Sequence, residues 1–276
     1  MYRIRNAELY DMDFVMDLVE QEGWNPGLLD GENFFHADPE GFFIGEVDGE
    51  RIGCISAVRY GTFGFLGLYI VKEGYRHQGY GIALWNHAVR RLKHCTVGLD
   101  GVVEQQENYK KSGFLFAYNN LRFSGVVQAA APATRHIVPA DIGSFSAIAA
   151  YDARHFPAQR EIFLSHWLGM GNSRTLCYCE DGVLRGYGTI RECVSGYKIG
   201  PLFADTDAIA ETLFLSLAEF TNGAVISLDI AELNESARAM CERYGMEKSF
   251  ETARMYIGDA PVLSSGVYGI TTFELG

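Results

Sequence analysis

The residues best placed to do chemistry in this chain lie between Leu66 and Trp85. Here Arg76-His77-Gln78-Gly79-Tyr80-Gly81 follows an apolar, β-branched stretch, Phe63 to Val71. It precedes a run in which Ile82, Leu84, Trp85, Ala88, Val89 and Leu92 recur at helical spacing. The glycines therefore fall where a loop becomes a helix N-terminus. The first amides of a helix have no internal partner and sit at the positive end of its dipole. Glycine leaves them approachable, because no Cβ stands in the way. The chemistry this spacing offers is a cradle for a diphosphate. A Walker loop needs G-x-x-x-x-G-K-[ST], and the chain has none. A Rossmann turn, with Gly79, Gly81 and Asp100 as its parts, fits poorly. The polar loop from Lys72 to Gln78 separates strand from glycines, and Leu84 replaces the third glycine.

The elements that must hold this cradle can be read on either side. Tyr2 to Arg5 alternates as a short strand, and Asp11 to Glu22 and Leu28 to His36 read as helices. Two strands, Phe42 to Val47 and Ile52 to Val58, flank a turn at Asp48-Gly49-Glu50. After the cradle helix come a strand at Val97 to Leu99 and a helix from Val102 to Lys111, closed by Gly113. A hairpin, Phe114 to Tyr118 and Leu121 to Val127, is expected across Asn119-Asn120. Residues 129–134, rich in Ala and broken by Pro132, read as a linker. The same order of elements then recurs, from a strand at Arg135 to a last one over Val267 to Glu274. In this second half Gly200-Pro201-Leu202-Phe203-Ala204-Asp205 stands in place of the cradle. Pro201 lacks an amide donor, and Asp205 repels a diphosphate.

The six residues Arg76 to Gly81 match [RQ]-x-x-G-x-[GA], the coenzyme A loop of the GNAT superfamily of N-acetyltransferases, which the first half resembles. Tyr109-Lys110-Lys111-Ser112-Gly113-Phe114 matches that family's closing Tyr-x-x-x-Gly-Phe. One departure is Val102, where the family often has Asn; Asn108 or Gln105 would have to take over its contact. The runs Glu22 to Gly27, Gly67 to Val71 and Leu99 to Val102 resemble a subfamily with a GNAT domain and a second, diverged one. The resemblance implies an α/β (α+β) protein of two tandem GNAT folds. Each would be a mixed, mostly antiparallel twisted sheet flanked by helices. The expected division is a catalytic domain at 1–128, the linker at 129–134, and at 135–276 a domain without a coenzyme A loop.

The resemblance also implies the reaction, direct transfer of an acetyl group from acetyl-CoA to an amine, here of a small molecule. Strand groups at Tyr69, Ile70 and Val71 would meet the thioester, an amide near Ile70 or Val71 facing the carbonyl oxygen. Arg76, His77, Gln78, Gly79, Tyr80, Gly81 and Asn108 would hold the coenzyme. Tyr109, a phenol donor on a helix, would protonate the leaving thiolate. Trp24 and Asn25, beside a Pro-Gly turn, are expected to wall the acceptor pocket. The second half would close that pocket, with Tyr268 reaching in. The base is left open among Glu22, His36, Asp38, Asp100 and a water chain. The contrasting reading is a sensor or scaffold that binds coenzyme A with little catalysis. Cutting the chain near Ala131 would, on this division, leave a first half that still binds the coenzyme.

Composition narrows the classes. A net charge of −12 argues against nucleic acid as partner. No apolar run approaches the ~20 residues of a membrane span, and Met1 to Asn6 has no leader-like apolar region. The six cysteines lie mostly in apolar runs, and Cys177-Tyr178-Cys179 is a poor metal spacing. Core thiols in a reducing cytoplasm, and no metal site, are the expectation.

Overall fold

The computed structural model describes residues 1–276. In the first half the strands are β1 (Tyr2–Asn6), β2 (Phe42–Val47), β3 (Glu50–Tyr60), β4 (Phe63–Val71), β5 (Thr96–Val102) and β6 (Leu115–Val126). The helices are α1 (Asp11–Gln21), α2 (Asp30–Ala37), α3 (Tyr80–Arg91) and α4 (Gln106–Lys111). The second half has β7 (Ile137–Pro139), α5 (Phe145–Asp152), α6 (Glu161–Trp167), β8 (Ser173–Glu180), β9 (Val183–Glu192) and β10 (Tyr197–Ala204). It continues with α7 (Asp207–Ala218), β11 (Val225–Ala231), α8 (Glu235–Arg243), β12 (Glu247–Ile257) and β13 (Val267–Gly269).

These strands build one continuous sheet, not two. Its order is β1-β2-β3-β4-β5-β12-β6-β11-β10-β9-β8-β7, with β13 on β10. Only β4/β5 and β10/β11 are parallel; every other pair is antiparallel. The halves exchange strands at the centre. β12 of the second half lies between β5 and β6, and β6 of the first half pairs with β11. Three buried ion pairs cross the same seam: Asp100–Arg254, Arg122–Asp229 and Asp30–Arg191. Behind it, Phe34 of α2 stacks on Trp167 of α6 in a shared apolar core.

The expected hairpin at Asn119-Asn120 is absent, because β6 runs through it as a single strand. The physical reason is that both asparagines find partners beside a straight strand. The Asn119 amide and side chain donate to Glu232, and Asn120 Nδ2 donates to Asp100 at 2.7 Å. Asn119 and the Asn120 amide nitrogen therefore need no turn, although Asn120 Oδ1 stays buried without a partner. The last strand is also shorter than expected; β13 ends at Gly269, and residues 270–276 continue across the sheet as irregular chain. No helix is long and apolar enough to cross a membrane.

Candidate active site

β4 pairs with β5 only from Phe63 to Leu66, opposite Thr96 to Leu99. A bulge sits just beyond. Cys54 and Ser56 of β3 oppose Ile70 and Gly67, and Leu68 takes a positive φ of 50°. The bulge bends β4 away from β5, as an extra residue in one strand does. A cavity of about 350 Å3 opens in the gap. Its floor is Gly67 to Val71 on one side and Leu99 to Val102 on the other. The backbone groups of β4 that would have met β5 are left facing it.

The loop after β4 brings the cradle to the mouth of this cavity. Gly79 has φ 88°, a left-handed conformation that favours glycine, and starts α3 without any side-chain cap. The first turn of α3 holds no acidic residue. A Cβ on Gly81 would lie 2.6 Å from the Tyr69 hydroxyl, so a side chain there would collide with the cavity wall. Arg76, His77 and Gly81 line the cavity; Gln78, Gly79 and Tyr80 sit just outside its wall. Arg76 Nε donates to the Val71 carbonyl at 2.7 Å, and its guanidinium pairs with Glu22. The cradle thus has the open amides and the cation that a diphosphate needs.

Tyr109 stands at the far side. Its ring stacks on Trp85, centroids 5.4 Å apart, and it lines the cavity. A Cβ on Gly101 would fall 2.1 Å from that ring, so Gly101 is what lets Tyr109 in. Burial pushes its phenol above the ordinary tyrosine value, which keeps it a proton donor at neutral pH. Asn108 is not in the cavity: its amide donates to Gln105 at 2.7 Å, and Gln105 is the side chain that reaches the wall.

Trp24 lines the cavity, but Asn25 does not. Asn25 donates to the Ser195 carbonyl and accepts from the Ser195 amide, both at 2.8 Å, tying the loop to the second half. The Trp24 carbonyl accepts from Arg122 at 3.1 Å and from Lys198 at 3.0 Å. Arg122 also lies over the rings of Phe250 and Phe273, 5.7 and 4.9 Å from their centroids. One buried cation therefore fixes three aromatic residues of the wall.

Of the four residues considered as base, His36 and Asp38 lie away from the cavity. His36 stacks on His166 with centroids 4.3 Å apart, and Asp38 is bidentate to Arg91. Glu22 and Asp100 do line the cavity, but each is already paired. Asp100 spends both oxygens on Arg254, at 2.7 and 2.6 Å. Burial nevertheless leaves its carboxyl above the usual range.

Four wall residues come from the second half and were not singled out in the sequence: Phe250 and Thr252 of β12, and Phe273 and Glu274. Tyr268 is elsewhere, bonded to Asp207 at the start of α7. No local pattern marks Glu274. The nearest signal is Gly67, where a Cβ would sit 2.0 Å from the Glu274 carbonyl oxygen.

A bent parallel strand pair, an uncapped helix facing the gap and a buried phenol define an acyltransferase of the GNAT type. The chain belongs to the GNAT acetyltransferase family. Residues 5–114 match the GNAT acetyltransferase family, and residues 148–269 match a second GNAT acetyltransferase domain. It is 33% identical over 98% of its length to the holothin acyltransferase of Pseudoalteromonas sp. (strain SANK 73390), covering 93% of that protein. It is 25% identical over 81% of its length to an uncharacterized N-acetyltransferase, YitH, of Bacillus subtilis (strain 168), covering 80% of it. Among solved structures it resembles a candidate acetyltransferase from Pyrococcus horikoshii, with TM-score 0.84, 21% identity and coverage of 100% and 96% of the two chains. A tandem GNAT protein of clavulanic acid biosynthesis gives TM-score 0.66 at 12% identity, covering 95% and 100%.

Proposed function

We propose that this acyltransferase moves an acetyl group from acetyl-CoA to the amine of a small molecule, binding one coenzyme per chain through the first half. One observation carries the reading: the uncapped α3 terminus, the freed edge of β4 and the Tyr109 phenol all meet in a single cavity. Bound there, acetyl-CoA would supply an activated acyl carbon and a thiolate leaving group. The α3 amides and Arg76 would hold the diphosphate. A β4 amide would face the carbonyl oxygen as it gains charge. Tyr109 would give its proton to the departing sulfur.

A cavity of about 350 Å3 suits a small acceptor beside the acyl group better than a folded protein. The residue ranges 1–128 and 135–276 still mark which half supplies the coenzyme loop, although the sheet is shared. The six free cysteines accord with a reducing compartment such as the cytoplasm. The test is calorimetric titration with acetyl-CoA, followed by thiol release on adding primary amines. One site per chain with amine-dependent release supports the reading. Two sites per chain would overturn the assignment of one coenzyme to the first half, and binding with no release for any amine would favour a sensor.

A further inference from the structure

We infer that Glu274, delivered by the second half, is the base that takes the proton from the attacking amine in the first half's cavity. The inference rests on the acetyl-transfer reading above. The step balances as follows. The amine lone pair forms the N–C bond, and the C–S bond breaks with its electron pair going to sulfur. Tyr109 protonates that sulfur, and the proton lost by nitrogen goes to the Glu274 carboxylate. Exchange with solvent then restores both groups.

The geometry singles out this residue. Three carboxylates line the cavity: Glu22, Asp100 and Glu274. Glu22 is held by Arg76 and Asp100 by Arg254 and Asn120. Taking a proton would break either pair. Glu274 is 94% buried and lines the cavity, and unlike the other two its carboxylate has no hydrogen-bond or ion-pair partner. A buried polar group without a partner is costly. Here an amine bound in the cavity would supply the missing partner. Its backbone is locked in place, because the Glu274 carbonyl fills the spot a Gly67 side chain would need.

Lys198 is the positioning residue. Its ammonium is buried, with the Trp24 carbonyl as its hydrogen-bond acceptor. The charges around Glu274 are Lys198 on β10, Arg122 on β6, Arg191 on β9 and Asp30 on α2. Asp229 on β11 is paired with Arg122, and Glu22, Arg76 and Asp100, which also line the cavity, are each held in an ion pair. Arg122 and Arg191 are each neutralised by a carboxylate, so Lys198 is the cation left to Glu274. Burial pushes Glu274 above the usual carboxylate range, and Lys198 pulls it back. A base with a raised value is active only above that value, so the rate falls as pH drops through it. Removing Lys198 must move that fall to higher pH.

The experiment uses the full chain with acetyl-CoA and a panel of benzylamine, tyramine, aniline and agmatine. Glu274→Gln should lower kcat/KM for the amine by about a hundredfold or more, with acetyl-CoA affinity within about twofold of wild type. Glu274→Asp should recover part of the loss. Lys198→Met should shift the acidic limb of the rate profile upward and recover activity at alkaline pH, which a merely loosened structure would not do. Where no panel amine reacts, carboxyl 13C titration decides, with Glu274→Gln identifying the resonance. A raised midpoint that moves up in Lys198→Met supports the inference, and an ordinary, unmoved one overturns it. Full turnover with an unchanged pH profile in Glu274→Gln would overturn the inference alone. A wild-type chain that fails to bind acetyl-CoA would remove the acetyl-transfer reading and this inference with it.

Discussion

In the first half β4 and β5 pair over four residues and then part around open space, whereas in the second β10 and β11 pair over Tyr197–Ile199 and part around β13. The inserted chain is bonded on both sides: the Ala204 amide donates to the Gly266 carbonyl, and the Ile270 amide to that of Asp229. The helices that follow differ in the same sense. α3 begins at an uncapped glycine after an eight-residue loop, 72–79. α7 begins two residues after β10, with the Thr206 hydroxyl accepting from the Ile209 amide and Asp207 in its first turn. Where the first half presents Tyr109, the second has Cys241, a buried thiol that burial pushes up to about 12. On the function proposed above the second cleft takes no coenzyme: there the chain's own backbone makes hydrogen bonds to the parted strands that the first cleft leaves open.

This contrast can be broken at several points. The largest effect should come from separating the halves. A fragment ending at Ala131 lacks β12, leaving β5 and β6 without their shared neighbour. It should show no cooperative thermal unfolding and no coenzyme binding. A folded, coenzyme-binding fragment would show that the exchange of strands is dispensable. Next is Tyr109→Phe, which keeps the ring against Trp85 and loses only the hydroxyl donor. Its turnover should fall about a hundredfold while acetyl-CoA affinity stays unchanged. Unaltered turnover, with amine attack rate-limiting, would leave the first cleft no better equipped than the second. The smallest effect is expected from Thr206→Ala, which uncaps α7 at a cost of about 1 kcal/mol. Denaturant melts should register that loss, yet calorimetry should still count one coenzyme, because β13 occupies the gap. A second site would mean that the cap, not the inserted chain, keeps the cleft closed.

The first cleft was far more legible than the second. The cradle, the strand before it and Tyr109 are each marked by residues within a few positions of one another. The gap between β4 and β5 was not marked as such, and the expected strand ended at Leu99 where β5 runs on to Val102. Asn25 and Asn108 were read as site residues because turn and helix-surface asparagines look alike whether they face a ligand or a loop. Their partners, Ser195 and Gln105, became visible only in three dimensions.

By itself the sequence marked most elements of both halves, and the glycine loop that one half has and the other lacks. These follow from local rules: glycine at a helix start, proline without a donor, apolar residues at period two or 3.6. Tertiary structure alone decided that β12 and β6 change places and that β13 fills the second cleft. It also decided that Glu274 reaches the first cleft over Gly67. Such pairings join residues far apart in the chain, as Leu202 with Gly269, Ser124 with Glu247 and Gly67 with Glu274. They depend on register and on which surfaces are buried together, and no periodicity in the chain records them.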